Sequence, residues 1–244
     1  MNLEEKLLLP LSQNAMDLHK EIEFHLKALT GIPADAGINE EFKEIYSDIM
    51  KLYDVFQKVI ILDTEESICC KDGCTMCCLH WTEDVYSFEA EIIAQYLKEN
   101  HSDKIKGIMQ SFYEDALKFI SVQDMIDQKL EDQTKEDLED EKVDRIDLLL
   151  SSFYQLRRPC ALLDENQKCI IYPVRPLTCR IYVNFSEPTD CDPDLINNGD
   201  AETYILDLED EAQNILERLN HKYEKHKGDR GLRSLLLKIL SEEK

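Results

Sequence analysis

Cys69-Cys70-Lys71-Asp72-Gly73-Cys74-Thr75-Met76-Cys77-Cys78 places five of the chain's nine cysteines in ten residues. The Cys74-x2-Cys77 spacing lets two thiolates grip one metal from a tight turn. Gly73 can take positive φ and lets the backbone fold round a metal or cluster. Cys77 and Cys78 are adjacent, so their side chains diverge. They serve two sites or two iron atoms of one cluster, or one of them stands outside the ligand set.

Further along, a second block reads Arg158-Pro159-Cys160, then Cys169-Ile170-Ile171-Tyr172-Pro173-Val174-Arg175-Pro176-Leu177-Thr178-Cys179-Arg180. Pro176 suits the first turn of a helix. Cys179 would then feel that turn's positive dipole, which favours thiolate. Arg157 to Arg180 holds five basic and two acidic residues, net +3. Such charge either compensates an anionic metal–sulfur centre or pairs with acidic helices. Cys191 stands alone in Thr189-Asp190-Cys191-Asp192-Pro193.

Outside these blocks the chain is strongly acidic. Across 244 residues, 51 acidic and 28 basic side chains give a net charge of −23. Phosphate backbones and anionic lipid repel such a chain, so no nucleic-acid partner and no membrane are expected. No apolar run is long enough to span a bilayer, and Met1-Asn2-Leu3-Glu4-Glu5-Lys6 does not open a secretory signal. A cytoplasmic protein is expected. In that reducing compartment, clustered cysteines point to metal or redox chemistry rather than disulfides.

The two blocks resemble the YkgJ-like CxxCxxCC cysteine-cluster family. The resemblance is carried by Cys70-x3-Cys74-x2-Cys77-Cys78 with the helix start Ser87-x-x-Ala90, and by Arg158-Pro159-Cys160, Cys169-x-Ile171-Tyr172, Arg175-Pro176 and Cys179-Arg180. It covers about Ile68–Cys191. Zinc or iron chelation is ascribed to that family, which is related to the cysteine-rich part of flagellin lysine methylases. It implies a ligand set of Cys70, Cys74, Cys77, Cys78, Cys160, Cys169, Cys179 and Cys191, with Arg175 and Arg180 beside the cofactor. Cys69 is extra to the pattern. The implied cofactor is an iron–sulfur cluster, with Zn2+ as the alternative.

Two further motif matches are partial. Cys70-x3-Cys74-x2-Cys77 also matches the cluster motif of radical S-adenosylmethionine enzymes. However, Met76 stands where an aromatic residue is usual, and no succession of strands follows. Asp190, Asp192 and Asp194 resemble an acidic calcium loop, but Leu195 occupies the glycine position and Ala201 that of the closing glutamate. His80 reads as a loop histidine. His19, His25, His101, His221 and His226 read as surface residues.

Apolar spacing predicts helices over most of the remainder. Residues 2–29 and about Glu40–Phe56 form the first two. Ser87 is the expected N-cap of a stripe through Phe88, Ile92, Ile93, Tyr96 and Leu97. Further stripes run Ile105–Ile120, Ile146–Phe153, Ile205–Leu219 and Leu232–Leu240. Glu131–Arg145, with eight acidic and three basic residues, reads as a solvated helix end or linker. A small hairpin is expected at Ala161–Leu163 and Cys169–Tyr172.

The expected fold is mainly α, with helices packed around an irregular cysteine-rich metal-binding loop region. Residues 1–66 form a helical extension and 67–195 the cysteine-cluster domain, whose acidic helical insertion spans about 101–157. Residues 196–244 are C-terminal helices on the same core. The expected function is metal or cluster binding with a redox or metal-handling role. Two alternatives stand beside it: a methyltransferase or oxidoreductase using the centre, and a structural zinc module that docks a protein partner.

Overall fold

The computed structural model describes residue 7 and residues 11–70, 73–132, 144–192, 203–226 and 231–242. The start of the chain, most of the acidic stretch 131–145 and residues 193–202, with Asp194, Leu195 and Ala201 among them, lie outside the described residues.

The fold is mainly α, as expected. Helices α1 (Gln13–Gly31) and α2 (Glu40–Thr64) form an antiparallel pair. Asn39 caps α2, its side-chain oxygen accepting from the Phe42 N–H at 2.9 Å, with Glu40 and Glu41 in the positive first turn. Helix α2 runs eight residues past its predicted end, to a left-handed Glu65 (φ 60°).

After the first cysteine block come α3 (Ser87–Asn100), α4 (Ile105–Asp132) and α5 (Arg145–Gln155). The cap of α3 is Tyr86 rather than Ser87. Glu89 accepts from the Tyr86 N–H, and Asn220 takes the Ser87 N–H at 2.7 Å. The second block carries the four-residue helix α6 (Thr178–Ile181) and strand β1 (Tyr182–Asn184). Strand β2 (Thr203–Ile205), α7 (Asp210–Tyr223) and α8 (Leu232–Ser241) follow.

Among the described residues the one sheet is β1 antiparallel to β2, with Val183 opposite Tyr204. The hairpin expected at 161–172 reduces to a single bridge, Leu163 opposite Cys169. There the Asp164 carboxylate accepts from the Asn166 and Lys168 N–H groups, both at 2.8 Å. This tightens a turn rather than extending a ladder.

Two cores share helix α3. In the first, Phe88 and Ile92 of α3 meet α1, α2, α7 and the second-block residues Leu177 and Ile181. Its centre is aromatic: Phe42 meets Phe88 and Tyr223 edge-on at 5.6 and 5.0 Å. In the second, Ala90, Ile93, Ala94 and Leu97 of α3 pack with α4, Leu162, Ile171 and the leucines of α8. Cys160 and Cys169 lie against that cluster. Gly231 (φ 79°) brings α8 so close to the first block that a Cβ would stand 2.8 Å from the Thr82 carbonyl oxygen.

The predicted stripes hold with local exceptions. Ile120, Ile146 and Ile205 are exposed at their ends. His19, expected on the surface, is buried, and its Nε2 accepts the Glu209 N–H at 2.9 Å. Among the described residues, no helix is long and apolar enough to cross a membrane.

Candidate metal centre

All nine cysteines are free thiols. The fold gathers them into two groups. Cys77 and Cys191 each feel Cys70 and Cys74 electrostatically. Cys179 feels Cys160, Cys78 and Cys169, and Cys78 feels Cys160, Cys169 and its chain neighbour Cys77. The first group is therefore Cys70, Cys74, Cys77 and Cys191. The second is Cys78, Cys160, Cys169 and Cys179. The adjacent pair Cys77-Cys78 is divided between them. Cys69 belongs to neither four but lies in reach of Cys70, Cys191 and Cys74, as a fifth thiol of the first group.

The backbone explains the grouping. In the first group, β1 supplies Asn184. Its backbone N–H points at Cys70 Sγ at 3.4 Å, and its side-chain amide donates to Cys191 Sγ. The Asn184 carbonyl accepts the Cys69 N–H at 2.9 Å. Tyr154 donates its hydroxyl to the Cys191 carbonyl and stacks on His80, with ring centroids 3.8 Å apart. In the second group, the Cys160 N–H donates to the Cys78 carbonyl at 3.0 Å. Cys77 and Cys78 both lie in the short 3₁₀ turn Met76–Leu79.

Removal from water pushes the resolved thiols toward the neutral form. Desolvation, then neighbouring sulfurs, raises Cys69, Cys77 and Cys78 to about 12. The expectation of a dipole-stabilised Cys179 thiolate is not met. Helix α6 is one turn long, and burial pushes the Cys179 thiol up. Crowded, partly desolvated thiols with raised pKa values need a cation before they can ionise together. Among the described residues, no three donors are already arranged to hold a metal ion. The donor set nevertheless fits zinc or iron in its soft sulfur chemistry and in its four-by-four grouping.

The arginines divide. Arg180 is buried and fully engaged. It holds Asp54 at 2.6 and 2.7 Å, and donates to the Arg175 carbonyl at 2.8 Å and the Tyr172 carbonyl at 3.3 Å. Gln57 donates to its carbonyl in turn. Arg180 thus ties the second block to α2. Arg157 pairs with Asp192, and Arg158 with the buried Asp115. Arg175 lies over the Tyr172 ring at 4.9 Å, and its charge reaches Cys77, Cys78, Cys169 and Cys179.

Sequence reasoning missed four residues of this frame. Glu89, buried at the start of α3, accepts from Tyr46 Oη at 2.5 Å and the Leu177 N–H at 2.8 Å, so it fastens the second block to α2 and α3. Asp115 and Arg233 form a buried pair at 3.0 Å, and Arg233 also donates to the His80 carbonyl at 2.8 Å. Asn184 is the fourth. The sequence signal for Arg233 is a cation set inside the leucine stripe of α8, while Asn184 carries none. A cavity of about 420 Å3 lies between α2 and α3, with Glu89, Pro173 and Val174 in its wall and no cysteine lining it.

No curated protein and no solved structure matches the chain. A family model does match, over residues 69–198, and is described as "CxxCxxCC: Putative zinc- or iron-chelating domain". That span covers more than half of the chain and contains all nine cysteines, so the protein belongs to the CxxCxxCC family.

Proposed function

We propose that the protein chelates zinc or iron at two four-thiolate sites, Cys70/Cys74/Cys77/Cys191 and Cys78/Cys160/Cys169/Cys179. Its role is in metal handling or redox chemistry in a reducing compartment such as the cytosol. The observation that carries this reading is the partition of eight cysteines into two fours across the Cys77-Cys78 peptide. An iron–sulfur cluster is the preferred occupant. Cluster ligands tolerate irregular spacings such as x3, x2 and none, whereas zinc fingers favour repeated short ones. Zinc is the second reading, favoured by four thiols per group, which is the number its tetrahedron takes. A bound centre would supply electron transfer if it is iron–sulfur, and a closed structural cross-link if it is zinc. The chain's own part is to bury the sulfurs, hold Cys191 and Cys70 through Asn184, and keep the blocks in register through Glu89 and Arg180.

The test is an absorption spectrum of anaerobically purified protein, with iron, zinc and acid-labile sulfide measured on the same sample. A brown protein with sulfide supports the cluster, and a colourless one with stoichiometric zinc supports the second reading. Cys77→Ser and Cys78→Ser should each remove about half of the metal, from different sites, while Cys69→Ser leaves it unchanged. Loss of the same half by both serines, or no metal in the unaltered protein, would overturn the two-site reading.

A further inference from the structure

Two buried side-chain nitrogens have no hydrogen-bond partner among the described residues: Arg175 Nε and Arg233 Nη2. Arg233 acts electrostatically on Cys160, and Arg175 on Cys78, Cys169 and Cys179 of the second group as well as on Cys77 of the first. Arg233 is 2% exposed. Its Nε is fixed by Asp115 and its Nη1 by the His80 carbonyl, and its guanidinium lies 5.3 Å from the Trp81 ring and 5.4 Å from the Phe153 ring. A planar fork held on two prongs has its third direction set. A buried donor left without an acceptor is destabilising. Two such donors beside one cluster of sulfurs need an acceptor that neutral thiols supply poorly and thiolates supply well.

We propose that Arg233 Nη2 and Arg175 Nε are the hydrogen-bond donors to the metal-bound thiolates of Cys78, Cys160, Cys169 and Cys179, and that they make this group the tighter of the two sites. The inference rests on the two-site reading above. It gives α8, which lies outside the family match, a part in the centre: Arg233 is its cation, and Cys160 is the sulfur on which its charge acts. The first group has a different surround. Its sulfurs receive the Asn184 amides, and Asp190 adds negative charge beside Cys191.

Anaerobic Co2+ titration of the full-length apoprotein, in competition with a chromophoric chelator, tests this. Cys74→Ser/Cys191→Ser leaves the second group intact, and Cys160→Ser/Cys179→Ser leaves the first. On the second group alone, Arg233→Lys and Arg175→Gln should each weaken Co2+ binding by about ten- to hundred-fold and shift the sulfur-to-cobalt charge-transfer bands. On the first group alone, Arg233→Lys should change affinity by less than about twofold, well below such outer-shell effects. Among the described residues Arg175 pairs with no carboxylate, so Arg175→Gln decides the matter if Arg233→Lys does not fold. Unchanged affinity and bands on the second group overturn the inference and leave the chelation reading standing. Failure of the unaltered protein to take up Co2+ at all overturns the chelation reading itself.

Discussion

The two cores of this molecule are built by different rules. The first, around α1, α2 and α7, is closed by aromatic and aliphatic side chains, and its buried polar groups have partners: His19 meets Glu209, and Tyr46 meets Glu89. The second, around α4, α8 and the cysteine blocks, contains a buried ion pair, two partly buried thiols and the two unpartnered guanidinium nitrogens. The first core is complete as a polypeptide. The second keeps two buried donors without an acceptor among the described residues, the donors proposed above for metal-bound sulfur, since buried polar groups are as a rule satisfied. The contrast teaches where metal dependence should reside.

Metal removal is the strongest test of that contrast. Stripping the protein with chelator and reductant should speed amide exchange in residues 73–80 and 160–192 while α1, α2 and α7 stay protected. Uniform loss of protection would erase the distinction. Core substitutions come next. Phe42→Ala should cost about 3–5 kcal/mol in chemical denaturation and leave metal stoichiometry intact. Asp115→Ala should cost a similar 3–5 kcal/mol, by leaving Arg233 buried without its carboxylate, and should lower metal retention as well.

Glu89 stands between the cores, so its variants sharpen the comparison. Glu89→Ala strands the Tyr46 hydroxyl and the Leu177 N–H and should cost on the order of 3 kcal/mol. Burial raises the Glu89 pKa above its ordinary value near 4.5. The folded state therefore holds this proton more firmly than the unfolded state. Its contribution is most favourable at and below pH 4.5 and declines as pH rises toward the folded value. Glu89→Gln, which cannot ionise, should flatten that part of the stability profile. An unaltered profile would remove Glu89 from the account. The smallest effect is at the α2 cap, where Asn39→Ala should cost about 1 kcal/mol with no change in metal content.

The first core was readable from sequence because helix periodicity is local. Phe88 and Ile92, or Ile215, Leu216 and Leu219, declare their buried face within two turns. The cysteine blocks were readable as a metal-type pattern for the same reason. What could not be read was long-range. Tyr182–Asn184 and Thr203–Ile205 are three-residue strands, too short for alternation to mark and separated by 18 residues, so Asn198-Gly199 between them does not read as a tight hairpin turn, whereas the close-set segments at 161–172 do. The allotment of Cys77 to Cys191, and of Cys78 to Cys160, depends on how the helices between them fold back. Arg180 reads as a residue beside the cofactor, and the fold adds what the sequence does not carry: its guanidinium holds Asp54 while its charge still reaches Cys169.

The division at Cys77-Cys78 also bears on the unfolded chain. A metal joining Cys78 to Cys160 closes a loop of about 80 residues, and one joining Cys77 to Cys191 closes a longer loop around it. Helices α3, α4 and α5 all lie inside both rings. By the chain-entropy account, a cross-link closing a loop of this size removes disorder from the unfolded ensemble worth on the order of 4 kcal/mol. The rings are nested and share one peptide at their origin, so the second closure works on a chain the first has already shortened. Whichever site fills first, the helical insertion then searches for its place as a tethered ring rather than as a free strand.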